Sequence, residues 1–213
     1  GVDREVKVIP NAVTPERFSP VDGPPPESIA SVTADAEFVI GFVGTMEERH
    51  RVDVLVEAVA SLPDSMKTAL VLVGDGPQRA KLEALVENAG IDDRTVFTGL
   101  VDFEEVPRYI SACDVLYGIS AFDKPSNPNK VYEYLACERP VITTRTPELG
   151  FVGSEELGVA MEEITVESVR EALVELSETT PEERATMGRR GREYVSQHNS
   201  WAVVVDELLG VES

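Results

Sequence analysis

A chain of 213 residues, 42% of them hydrophobic, is long enough to enclose one sizeable core and too apolar to read as disordered. It carries 39 acids against 19 bases, a net charge of −20, which disfavours nucleic-acid backbones and anionic lipid as principal partners. No apolar run approaches the 18 or so residues of a membrane span, and the first residues, GVDREVKVIPN, lack the basic-then-apolar layout of a secretory leader.

Three regions are expected in chain order: an opening segment and exposed loop over 1–37, an α/β core over 38–165, and C-terminal helices over 166–213 packing on that core. Gly1 opens as if in mid-protein, as an excised domain would. Residues 19–37 are rich in Pro, Ser and acids and read as loop. Phe38–Val43 is a continuous apolar run closed by Gly44, the pattern of a strand buried on both faces. Val52, Leu55, Val56, Val59 and Leu62 then recur at helical spacing, and Pro63 ends that helix. Ala69–Val73 reads as a second strand before Gly74-Asp75-Gly76. The next helix opens near Pro77, carries Leu82, Leu85, Val86 and Ala89 on one face, and stops at Gly90. Thr95–Thr98, Asp114–Gly118 and Pro140–Thr144 read as further strands, with helices over Glu104–Ala112 and Asn129–Cys137. Beyond Val166 three helices are expected, near 166–177, 181–197 and 201–209. The alternation predicts an α/β fold: a doubly wound, Rossmann-like parallel sheet with a helical C-terminal extension.

In such a sheet ligands bind beyond the carboxyl ends of the strands. The loops there are Gly44–Arg51, Gly74–Pro77 (with Gly76 inside it), Gly99–Asp102, Gly118–Asn129 and Thr144–Gly150; glycine at a strand end permits sharp turns and close approach of backbone to a ligand. Arg49-His50-Arg51 is the dense basic cluster of that edge, just ahead of a helix N-terminus, and suits a phosphate; the alternative is a solvated turn balancing Glu47 and Glu48. In Ser126-Asn127-Pro128-Asn129-Lys130, Ser126, Asn127 and Asn129 are capable helix caps and Pro128 suits a first turn, so free amides would face a diphosphate. Glu133, one turn on, is near enough to meet a sugar hydroxyl; the alternative is a surface pair with Lys130. Neither GxGxxG, GxxxxGK[ST] nor GxSxG occurs, and His50 and His198 have no metal-ligand spacing.

These segments, in this order, resemble the C-terminal domain of the family 4 retaining glycosyltransferases, which have the GT-B fold. The resemblance runs through VIPNAVTPERFSP, FVIGFVGT, LVLVGDGPQRAKLEALVENAGIDDRTVFTGLVDFEEVPRYISACDVL, KVYEYLACERPVITT and the closing SWAVVVDELL. It implies a nucleoside-diphosphate-sugar donor, no metal or other cofactor, and an acceptor held by an N-terminal domain missing from this chain. This chain alone would then bind without catalysing. By position, Glu133 is the family's ribose-binding acid, Gly44 lies by the phosphates, the amides of Asn127–Lys130 cradle the diphosphate, and Thr98, Gly99 and Leu100 meet the base. The family's first acid falls on Pro125, with Asp123 near it, so Glu133 and Asp123 are the carboxylates assigned to the reacting region. Thr45 replaces a phosphate-binding Arg, His50 stands where a Lys is common, and Glu138 replaces a Gly. The resemblance to branches that begin this helix Asn-Pro-x-Lys implies part of the phosphate role for Lys130.

The other readings weighed are a non-catalytic nucleotide-sugar-binding module, a nucleotide-sugar epimerase, which lacks its His–carboxylate pair here, and a receiver-like domain, whose acidic pair is missing. Cys113 and Cys137 lie in apolar segments and read as buried, reduced thiols, which suits the cytoplasm. The missing domain would allow peripheral association with the inner face of the membrane, in polysaccharide or protein glycosylation. Five Lys against 14 Arg, with the acid excess, would suit a salt-loving host.

Overall fold

The computed structural model describes residues 11–119, 121 and 128–209. Six strands form one sheet: β1 (Phe38–Val43), β2 (Thr68–Val73), β3 (Thr95–Gly99), β4 (Val115–Tyr117), β5 (Val141–Thr144) and β6 (Gly158–Met161). Their order is β3-β2-β1-β4-β5-β6, and every neighbouring pair is parallel. Parallel neighbours need crossovers, and the helices that supply them cover both faces. The helices are α1 (Glu27–Thr33), α2 (Val52–Ala60), α3 (Arg79–Ala89), α4 (Val106–Ser111), α5 (Asn129–Ala136), α6 (Phe151–Ser154), α7 (Val166–Glu178), α8 (Pro181–His198) and α9 (Trp201–Leu209).

The period-two geometry of a strand divides the core cleanly. On β1, Phe38, Ile40 and Phe42 point into the layer formed by α2, α3 and α7, where Leu55, Val59, Leu82, Leu173 and Leu176 pack. Val39, on the opposite face, joins Val71 and Val73 of β2 against Ile29, Tyr109, Ile110, Leu135 and Val195. Burial on both sides is why β1 and β2 read as unbroken apolar runs rather than alternating ones.

The helical tail docks firmly at its start. Thr165 and Thr180 each cap the helix that follows them through a capping box, closed by Ser168 and Glu183 respectively. In α8, Gly188 presses on the backbone of Glu138: a Cβ at residue 188 would lie 2.0 Å from the Glu138 carbonyl. Glu138 itself adopts φ 58°, the left-handed position that ends α5, which explains why the resembling family favours glycine there.

Two sequence expectations are corrected. Residues 19–37 are not all exposed loop: Glu27–Thr33 forms α1, whose Ile29 is fully buried. Asn129 does not cap α5 and Pro128 does not lie inside its first turn; Pro128 is the N-cap, without a side-chain cap bond, and Asn129 is the first helical residue. Ser126, Asn127, Asp123 and Pro125 lie outside the described residues.

Candidate functional site

The strand order reverses between β1 and β4, and a crevice at the carboxyl end of a parallel sheet opens where that happens. The floor of the site is backbone. The Gly44 amide donates to the Val73 carbonyl at 2.9 Å, and the Gly74 amide donates to the Gly99 carbonyl at 2.9 Å. Met46, fully buried, donates to the Asp75 carbonyl at 2.8 Å and accepts from the Gln78 amide at 3.0 Å. The three turns after β1, β2 and β3 thus lean on one another. Gly74 has φ 117°, and a Cβ there would sit 2.2 Å from the Gly44 carbonyl oxygen, so no side chain fits.

The basic cluster is committed elsewhere. Arg49 forms an ion pair with Glu47, and Arg51 reaches Asp53 at 3.4 Å. His50 turns inward: it is 7% exposed, its Nδ1 lies 2.5 Å from the Thr45 carbonyl, and its ring lies 5.9 Å from that of Phe42. A carbonyl only accepts, so Nδ1 carries the hydrogen. Burial lowers the His50 pKa, and the neighbouring Lys130 lowers it further, against the bond to Thr45. His50 is therefore mainly neutral at pH 7 and braces the turn. Thr45 is exposed.

The cation that faces the Gly44 turn comes from α5. The Lys130 ammonium is buried and has no hydrogen-bond acceptor among the described residues. It lies 4.2 Å from the centre of the Phe42 ring, and a Cβ on Gly44 would be 2.9 Å from Nζ. Burial draws its pKa from 10.5 down to about 7; Arg49 adds to the fall, while Glu133 and Glu47 oppose it. Glu133, three residues on, is largely buried, and desolvation raises its pKa against the pull of Lys130. The two make no ion pair within 4 Å, so the surface-pair alternative does not hold. A buried ammonium without an acceptor is costly, and an anion arriving over Gly44 would relieve that cost.

Thr98, Gly99 and Leu100 close β3 on the same edge. Thr98 donates to the Gly99 carbonyl at 2.8 Å, and Leu100 is 83% exposed, a large apolar side chain at the rim. A neighbouring cleft of about 220 Å³ is lined by Glu47, Glu48, Arg51, Val52, Asp53, Gln78, Lys81 and Leu82. Its three carboxylates make it the poorer host for a phosphate. Among the described residues no group of three or more His, Cys, Asp or Glu is placed to hold a metal, and no helix is long and apolar enough to cross a membrane.

Sequence reasoning missed Tyr134 and Phe42. Tyr134 lies four residues after Lys130, on the same helical face, and that spacing is the signal that points it to the same place. Its hydroxyl accepts from the Val43 amide and donates to the Val43 carbonyl, both at 2.9 Å, at the last residue before Gly44.

Residues 37–179 match the model of the glycosyl transferases group 1 family. This chain belongs to the group 1 glycosyltransferases. The 2-deoxystreptamine glucosyltransferase of Streptomyces kanamyceticus is 39% identical over 119 residues, covering 54% of this chain and 31% of that enzyme. HepE of Anabaena, solved in complex with UDP and glucose, superposes with a TM-score of 0.76 at 19% identity, over 96% of this chain and 55% of HepE. The C-terminal domain of a group 1 glycosyl transferase, LpcC of Francisella tularensis, superposes with a TM-score of 0.69 at 20% identity, over 89% of this chain and 99% of that one. The chain thus spans about a third to a half of the full-length relatives it matches, and its fold is that of the C-terminal GT-B domain.

Proposed function

We propose that this domain holds the nucleoside-diphosphate-sugar donor of a retaining glycosyltransferase, with the diphosphate over the Gly44 turn. The observation that carries the reading is the Lys130 ammonium, buried, without an acceptor among the described residues and packed against Gly44. Glu133 accepts from the ribose hydroxyls beside it, and the base lies along Thr98–Leu100. Asn129 and Lys130 offer amides at the start of α5 to the same phosphates. As the glycosyl bond breaks, negative charge grows on the departing diphosphate, so a contact from Lys130 strengthens towards the transition state and speeds the step. No metal is required in this scheme, because Lys130 and the amides supply the positive potential.

The acceptor belongs to an N-terminal domain outside this chain, and the enzyme works in the cytoplasm, at the inner face of the membrane where that domain binds it. The free, buried thiols Cys113 and Cys137 agree with a reducing compartment.

Calorimetric titration with UDP, GDP and ADP and their sugar conjugates, without divalent metal, tests the reading. One nucleotide is expected to bind, and Glu133→Ala to weaken it at least tenfold, the cost of a lost charge-assisted hydrogen bond of roughly 1.5–3 kcal/mol. Binding of none of them by the wild-type chain would sink the proposal.

A further inference from the structure

The ladder between β1 and β4 is short. It pairs Ile40 with Val115 and Gly41 with Leu116. Val39 and Val43 flank it on the same side of β1, and the amide of each finds its partner in a side chain. The Val39 amide donates to the Asp114 carboxylate at 2.7 Å. The Val43 amide and carbonyl both go to the hydroxyl of Tyr134, which is fully buried. Tyr134 therefore completes the strand where β4 has diverged.

Tyr134 and Lys130 are one turn apart on α5 and both reach the end of β1. The hydroxyl takes Val43, and the ammonium takes the Phe42 ring and Gly44. Phenylalanine at 134 would fill the same volume yet leave the part-buried amide and carbonyl of Val43 without that partner, so the hydroxyl is not there for packing. We propose that Tyr134 is a positioning residue of the donor site, whose hydroxyl fixes the height of α5, and with it Lys130 and Glu133, above the Gly44 turn. The inference rests on the donor reading given above.

The test is Tyr134→Phe, with Thr180→Ala, at the start of α8, as a control that also loses stability. Well below the melting temperature, Tyr134→Phe is expected to bind the preferred nucleoside diphosphate about tenfold more weakly, since a small misplacement of binding groups carries that scale of loss. Its binding is also expected to persist to higher pH than the wild type's, because a loosened ammonium regains water. Thr180→Ala should change neither. An unchanged affinity and pH profile in Tyr134→Phe overturns the inference alone; no binding by the wild-type chain overturns the donor reading and the inference with it. A second measurement needs no variant. The Val43 amide should exchange with solvent as slowly as the central sheet and slow further with bound nucleotide. Exchange at the rate of an open strand end, with or without nucleotide, overturns the inference.

Discussion

Replacing Lys130 by methionine should move stability and nucleotide affinity in opposite directions. In the folded chain burial brings the ammonium from 10.5 to about 7. The unfolded chain therefore holds a proton on Lys130 across pH 7 to 10.5 that the folded chain releases, so this residue's contribution to stability rises with pH over that window. Below pH 7 the folded protein bears the full cost of the buried charge, on the order of 4–5 kcal/mol as an upper bound, since one pH unit corresponds to about 1.4 kcal/mol. Methionine is unbranched and one heavy atom shorter, and it places an uncharged, polarisable side chain beside Phe42. Lys130→Met should accordingly melt several degrees higher than the wild type at pH 6, and the gain should shrink as pH climbs towards 10. Nucleotide binding should show the reverse. The protonated fraction of Lys130 falls from about 0.9 at pH 6 to about 0.1 at pH 8, so wild-type affinity should drop roughly tenfold over that range beyond any change shared with the variant. Lys130→Met should be weaker at pH 6 by about 10- to 100-fold, the value of a charge-assisted hydrogen bond. Calorimetric titration at both pH values, with paired melting curves, measures all of this. Parallel affinity profiles, or a methionine variant less stable than the wild type at pH 6, would refute the assignment of Lys130 as the buried, anion-seeking cation.

Three further outcomes are expected. Arg49→Ala with Arg51→Ala should alter nucleotide affinity less than about threefold in calorimetry, because the charges of Arg49 and Arg51 are already offset by Glu47 and Asp53 beside them. Gly74→Ala forces a Cβ to 2.2 Å from the Gly44 carbonyl at φ 117°, and should cost about 3 kcal/mol or more, read as a melting temperature lower by roughly 6–12 °C. Thr180→Ala removes the acceptor for the Glu183 amide at the start of α8 and should cost about 1 kcal/mol in thermal unfolding. The Glu183 carboxylate is held below its usual pKa by its bonds to Thr180, so its share of that cap is present above about pH 4.5 and fades as pH falls through its lowered value.

The sheet was legible because buried parallel strands announce themselves: Phe38–Val43 and Ala69–Val73 are apolar without interruption, and each ends at a glycine. The stretches that escaped notice are short. β6 and α6 have four residues each, too few to show a period, and α1 hides one buried side chain, Ile29, in a run of proline, serine and acid. In the site, residue types were legible and their commitments were not. Arg-His-Arg reads as positive potential, but Glu47 and Asp53 engage the two arginines, and His50 donates to a carbonyl five residues back. Lys130 and Glu133 read equally well as a surface pair, since helical spacing names the face a residue occupies and not how deep that face lies. Only the packing of α5 on the end of β1 decides it.

The interlocked turns limit how such a site can change. Gly44 leans on Val73, Gly74 on Gly99 and Met46 on Asp75, always backbone to backbone. No side chain takes part in those contacts, so most substitutions leave the floor untouched, and the few that reach it, at Gly44 or Gly74, move all three turns together. On the proposed donor reading, adaptation to a different donor proceeds at the rim, where Leu100 stands 83% exposed and can be exchanged without disturbing the scaffold beneath it. On that reading the chain separates what holds the ligand's charge from what recognises its identity, and only the second is free to drift.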